Sequence, residues 1–324
     1  EKYTEGYPWV AYRQFCQHFL APLALMSYQD IRLNQLLRIY IDGIPLDLAS
    51  SLLPFKSRFN FNLLSHIHLH AKSQEHFADK QVTVKRWNIR RSSVLRIIDN
   101  LEATIKNLLW QPHKTEWGDY IDDTNYSSEA YSCKKQIVTR FLEMIEPKNV
   151  WDLGANVGIF SRIASRQGIP TIAFDIDPAA VEKNYIECVR NNETDLLPLL
   201  LDLTNPSPNI GWQNQERMSW LERGPADTVL ALALIHHLAI SNNIPFENIT
   251  SFFGKLCNSL IIEFVPKSDS QVQRLLATRE DIFPNYTKKH FEYHLSKCFI
   301  IQSAEKIKCS ERTIYLMKKR NIAD

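Results

Sequence analysis

Residues 150–178, VWDLGANVGIFSRIASRQGIPTIAFDIDP, decide the fold. A short apolar run, Val150 to Leu153, leads into Gly154 and Gly158 and then into an apolar-periodic segment from Ile159 to Arg166. A second apolar run, Thr171 to Phe174, follows Gly168 and Pro170 and stops at Asp175 and Asp177. The order is strand, tight loop, helix, strand: one βαβ unit of about thirty residues. The two glycines let the backbone turn sharply and bring a ligand close to main-chain N–H groups at a helix N-terminus, where partial positive charge favours anions. A carboxylate about 20 residues past the first glycine, at the tip of the next strand, is placed to accept hydrogen bonds from ribose hydroxyls, and Asp175 holds that place.

The loop is not the dinucleotide pattern GxGxxG. Asn156 stands where the second glycine falls, and Phe160 and Ser161 where the third falls, which weakens NAD as the ligand. DLGANVG instead resembles the glycine-rich motif of class I S-adenosylmethionine-dependent methyltransferases, with Asn156 at the middle glycine. The resemblance implies that Asp152 and Gly154 sit by the methionine end of S-adenosylmethionine and that Asp175 binds the ribose. Ala155, Asn156, Gly158 and Ile176 are the further cofactor contacts it implies here.

Upstream, Lys134 to Ile145 reads as an amphipathic helix feeding the first strand. Residues 110–131, WQPHKTEWGDYIDDTNYSSEAY, are expected to form a domain junction and a lid. In the family an aromatic residue before the first strand often lies beside the cofactor, which points to Tyr120, Tyr126 or Tyr131; Tyr126 is taken as the contact.

Downstream, Pro178 to Asn191 reads as a helix with proline at its start, and Leu196 to Leu201 as a third strand ending at Asp202. The family places an acidic residue there near the adenine, so Asp202 and the N–H of Leu203 are expected on the adenine side. Asp227 to Leu234 reads as the fourth strand, which puts Ala233 by the cofactor and His236 and His237 at the carboxyl edge of the sheet, where ligands collect in open α/β folds. Ser259 to Val265 reads as the fifth strand, with Glu263 and Lys267 at its tip. Phe299 to Ala304 and Thr313 to Met317 read as a closing pair of strands. The fold class that follows is α/β: a Rossmann-like, mostly parallel seven-stranded sheet with an antiparallel terminal hairpin, over residues 116–324.

Residues 1–115 read as a mainly helical N-terminal domain that closes over the acceptor. Its histidines, His66, His68, His70 and His76, invite a metal reading. His66 and His70 share a helical face, but His68 points away and no nearby carboxylate or cysteine completes a set, so no metal is expected. Lys85 to Arg96, with Trp87 among its basic residues, is read as a solvated helical face rather than a nucleic-acid patch. GYPWVAYRQFCQHFLAPLAL, YIDGIPLDLAS, LLSHIHLHAK and WGDYIDDTNY together resemble nodulation-protein (NoeA-like) methyltransferases over nearly the whole chain. That resemblance, and a first residue that is not Met, imply additional sequence before Glu1.

Over 324 residues the formal charge is only +2, too mild to argue for nucleic acid. No run approaches the roughly 18 apolar residues of a spanning helix, so no membrane partner is expected. The six cysteines stand singly, without CxxC spacing, and suggest a reducing compartment, hence the cytoplasm. The function that follows is methyl transfer from S-adenosylmethionine to a small-molecule or glycan-like acceptor, with His236 or His237 as base and Glu263 as the alternate. An RNA or protein methyltransferase is the rival enzyme; LALIHH replaces the [DN]PP[YFW] of base and glutamine amino-methylating enzymes. A cofactor-binding scaffold without catalysis is the rival from another class.

Overall fold

The computed structural model describes residues 6–77, 89–110 and 127–320. Backbone contacts divide the chain into two compact units, Glu1–Gln111 with Ser207–Met218, and Pro112–Pro206 with Ser219–Asp324.

The second unit is built on strands β1 (Val150–Leu153), β2 (Thr171–Asp175), β3 (Leu196–Leu200), β4 (Ala226–Ala231), β5 (Cys257–Phe264), β6 (Phe299–Lys306) and β7 (Thr313–Lys319). They form one sheet in the order β3-β2-β1-β4-β5-β7-β6. The first five run parallel, and β7 lies antiparallel between β5 and β6. This is the class I methyltransferase sheet, as the sequence predicts. Strands buried on both faces should be apolar throughout, and β4 shows why. Val229 and Ala231 face one core with Phe253, Leu256 and Phe291, while Leu230 and Leu232 face the other with Val138, Phe141 and Leu142.

Two local differences from the sequence reading bear on the site. The helix before β1 spans Ser128–Ile145, starting six residues before the predicted Lys134, because the Ser127 side chain caps it by accepting the Ala130 N–H at 3.1 Å. The fourth strand ends at Ala231 rather than Leu234, because Ala233 turns into the left-handed region with φ of 51°.

The first unit is mainly helical. Tyr12 to Tyr28 is a helical run that widens at Cys16–Leu20, and Phe61 to Phe77 is another that widens at Leu64–Leu69. Leu46–Leu52 and Arg91–Lys106 are further helices, and Leu20, Leu25, Ile44, Leu63, Ile67 and Leu101 lie in the core they share. The histidines of the second run serve this core. His66 donates through Nε2 to Asn100 Oδ1 at 2.6 Å, so its Nδ1 accepts the Tyr12 hydroxyl at 2.6 Å. His68, expected off the face that His66 and His70 share, is 3% exposed and bonded through both ring nitrogens to Ser50 and Ser57. Among the described residues no cluster of His, Cys, Asp and Glu is arranged to hold a metal ion. Arg91 and Arg96 face water along their helix; Trp87 lies outside the described residues.

Candidate active site

Parallel strands deliver their ends to one edge, and here each of the first three delivers a carboxylate. Asp152 is 2% exposed on β1, and its Oδ2 accepts the Ser161 hydroxyl at 2.6 Å. Burial pushes its carboxyl up to about 6, against the pull of Ser161 and the Lys134 ammonium. Asp175 ends β2; its Oδ2 accepts the Asn156 N–H at 2.7 Å and its Oδ1 the Asp177 N–H at 2.8 Å. Burial raises that carboxyl as well, with the two N–H groups opposing. Asp202, just past β3, accepts the N–H and hydroxyl of Thr204 at 2.8 and 2.7 Å. All three line one cavity of about 780 Å³, together with Gly154, Ala155, Asn156, Ile176, Leu203, Ala233 and His237.

The two glycines of the loop act differently. Gly154 has φ of 76° and lies on the cavity wall, where a Cβ would stand 3.3 Å from Leu234 Cδ1. Gly158 has φ of 78°, but a Cβ there would meet the Asn184 side chain at 2.4 Å. Gly158 is not among the cavity-lining residues, so its bareness serves the packing behind the loop and not the approach of a ligand.

The opposite wall departs further from the sequence reading. Lys134, nearly two turns into the helix before β1, is buried and lines the cavity. Its ammonium stands 2.7 Å from Glu263 Oε2 and 4.7 Å from the centre of the Phe160 ring. Glu263 is fully buried and absent from the cavity wall; Oε2 also accepts the Ala233 N–H at 2.9 Å, and Arg312 lies 3.6 Å from Oε1. A carboxylate so engaged supports the wall and is not presented to a substrate. His236 is 1% exposed, off the cavity wall, with its ring 4.1 Å from that of His237. Only His237 of the pair reaches the cavity. Burial, then the Arg312 charge, lowers its imidazole to about 4. A base works best with a pKa near the working pH, so His237 is held neutral and is a weaker base than a free imidazole. Lys267, past the end of the fifth strand, pairs with Asp281 at 2.7 Å.

Tyr120 and Tyr126 lie outside the described residues, and Tyr131 lines the cavity with its ring edge-on to Phe160 at 5.9 Å. Sequence reasoning missed Lys134, Phe160, Ser241, Asn242 and Leu275, all on the wall. Lys134 did leave a signal. It sits on the helix stripe that buries Ala130, Ile137, Val138 and Phe141, where a lysine has no place unless it is paired.

No family model matches the chain. Its sequence is 35% identical over 323 residues to the nodulation protein NoeA of Rhizobium meliloti (strain 1021), covering 98% of this chain and 68% of that protein. The chain belongs to the NoeA family. Solved structures similar to this NoeA relative include the bifunctional kinase-methyltransferase WbdD, at 14% identity and a TM-score of 0.40 over 67% of this chain and 46% of that one. The chain thus spans less than half of WbdD. Magnesium protoporphyrin IX methyltransferase from Synechocystis PCC 6803, with bound S-adenosylhomocysteine, matches at 15% identity and a TM-score of 0.42, over 65% of this chain and 90% of that one. The 16S rRNA methylase ArmA matches at 16% and 0.41, over 69% and 97%. At these scores the likenesses add nothing to what the sheet order of this family member already states.

Proposed function

We propose that the chain is an S-adenosylmethionine-dependent methyltransferase acting in the cytoplasm on a small-molecule or glycan-like acceptor. The observation that carries this is the row of carboxylates Asp152, Asp175 and Asp202, one from each of three adjacent strand ends, along one cavity of about 780 Å³. The donor has an amino group, a ribose diol and an adenine amino group spaced along one extended molecule, and each is a hydrogen-bond donor. Each accepted bond of Asp175 occupies one lone pair of its oxygen, so the diol has acceptors left. Ile176 and Leu203 give a flat base apolar surface beside Asp202. The residues present therefore fit the cofactor.

When bound, S-adenosylmethionine supplies an electrophilic methyl carbon. The chain's own contribution is to hold donor and acceptor in line, which is worth several kcal/mol of a displacement barrier. Asp175 and Asp202 fix one end of the donor, and the Gly154 turn allows close approach. Away from the row of carboxylates the cavity is lined by His237, Ser241, Asn242 and Leu275, the groups that would receive the acceptor. His237, neutral at working pH, orients the acceptor by hydrogen bonding, and takes a proton only from a group that becomes strongly acidic on methylation. Titration calorimetry with S-adenosylhomocysteine tests the reading: stoichiometric binding, weakened in Asp202→Ala, supports it, and no binding to the parent chain refutes it.

A further inference from the structure

The N-terminal unit carries a surface whose residues are not among those lining the cavity. Residues 54–61 read PFKSRFNF, and their burial inverts the usual pattern. Ser57 is fully buried; its hydroxyl donates to the Pro54 carbonyl at 2.7 Å and accepts His68 Nε2–H at 2.9 Å. Phe55, Phe59 and Phe61 are turned outward and are 69%, 79% and 78% exposed. Asn60 caps the next helix by accepting the N–H groups of Asn62 and Leu63 at 3.1 and 3.2 Å. Turning the rings inward would unpair these buried bonds, so the loop is held with its aromatic side out. The outward line continues along the helix through Ser65 and Leu69, at the i+4 spacing of one helical face.

Each phenylalanine carries on the order of 200 Å² of surface, so the three rings together expose about 450 Å², within the roughly 300–600 Å² of the largest apolar patch on a single chain, which is often functional. The exposed side chains between the rings, Lys56 and Arg58, are cationic, and no Asp or Glu occurs between Asp47 and Glu75. The Asn60 oxygen is already used in its cap. The loop therefore offers aromatic rings and positive charge, with few of the neutral hydrogen-bonding groups that a protein interface places about every 100–200 Å². Aromatic rings at the headgroup boundary, with Lys and Arg reaching phosphate, suit an anionic bilayer surface.

We propose that residues 54–61, with Leu69 of the following helix, dock the N-terminal unit on an anionic phospholipid surface, Phe55, Phe59 and Phe61 entering the headgroup boundary while Lys56 and Arg58 meet lipid phosphates. Among the described residues no helix is long and apolar enough to cross a membrane, and docking of this kind requires none. The proposal stands independently of methyl transfer.

Flotation of the full chain with vesicles of phosphatidylcholine, with and without phosphatidylglycerol, tests the proposal. The parent is expected to float with the anionic vesicles, less so as salt rises and only weakly with phosphatidylcholine alone. The triple variant F55S/F59S/F61S and the charge variant K56E/R58E should each lose roughly tenfold or more of that binding, while keeping the parent's melting midpoint and S-adenosylhomocysteine affinity. A parent that stays off anionic vesicles overturns the proposal, as do variants that float as well as the parent. Parent self-association that the triple variant abolishes, without vesicle binding, would make the patch an interface between copies and overturn it equally.

Discussion

Lys134 Nζ stands 2.7 Å from Glu263 Oε2, and that same oxygen takes the Ala233 N–H at 2.9 Å. One buried carboxylate thus ties the helix before β1 to the left-handed turn after β4, two pieces of the cavity wall. Removing one partner of a buried pair leaves the other charge uncompensated, at a cost of about 3–5 kcal/mol. Glu263→Ala should destabilise the chain by that order in urea unfolding, and Glu263→Gln, which can still accept the Ala233 N–H, by less. Both should weaken S-adenosylhomocysteine binding, although Glu263 is not on the cavity wall.

Asp152 and His237 should oppose each other in the pH dependence of stability. His237 falls from 6.5 to about 4 on folding, so on acidification the unfolded chain takes the proton first and stability is lost between those values. Asp152 rises from 3.8 to about 6, so the folded chain takes the proton first and stability is gained as pH falls through nearly the same window. Each shift of about 2 units is on the order of 3 kcal/mol. Asp152 and His237 together contribute about equal and opposite slopes between pH 4 and 6, on top of the loss on acidification from the buried His236 and the gain from the buried Asp175. Relative to the parent, Asp152→Asn should lose more stability on acidification, and His237→Gln less. Urea midpoints across that range for the three chains check this.

Gly158→Ala should destabilise the loop through Asn184, since the added methyl would sit 2.4 Å from that side chain. Asn184→Ala in the same chain should recover part of the loss. About 1 kcal/mol should remain, from an alanine forced to positive φ. Full recovery would mean that the backbone conformation costs nothing.

His237→Gln keeps a hydrogen-bonding side chain in place and removes the imidazole. If His237 orients the acceptor rather than acting as a base near neutral pH, the variant should retain much of the parent's turnover, and the parent's pH–rate profile should show no step near 6.5. A loss of 10²-fold or more, with such a step, would restore the general base.

The sheet was legible because its signals are local. The apolar runs, the glycine turn and the acid at the tip of the second strand each follow from a few adjacent residues, which places Asp175; Asp152 and Asp202 follow only from the resemblance to the family, and all three line the cavity. The far wall was not, because its logic is tertiary. Glu263 reads as a tip residue at the end of a strand, yet Lys134, from a helix more than a hundred residues earlier, neutralises it inside. His236 and His237 are adjacent in sequence and differ in reach because they lie in a helical turn, where consecutive side chains point about 100° apart. The hydrogen bonds of the buried histidines in the N-terminal unit were not legible for a similar reason: their partners Tyr12, Ser50 and Asn100 lie far along the chain.

The most direct measurement is the affinity of the parent chain and of Asp175→Ala for S-adenosylhomocysteine by titration calorimetry. If Asp175 holds the ribose, the parent binds stoichiometrically and the variant loses at least about tenfold, some 1.4 kcal/mol, while remaining folded by circular dichroism. Equal affinity in a folded variant would contradict the placement of the cofactor along the ends of β1, β2 and β3.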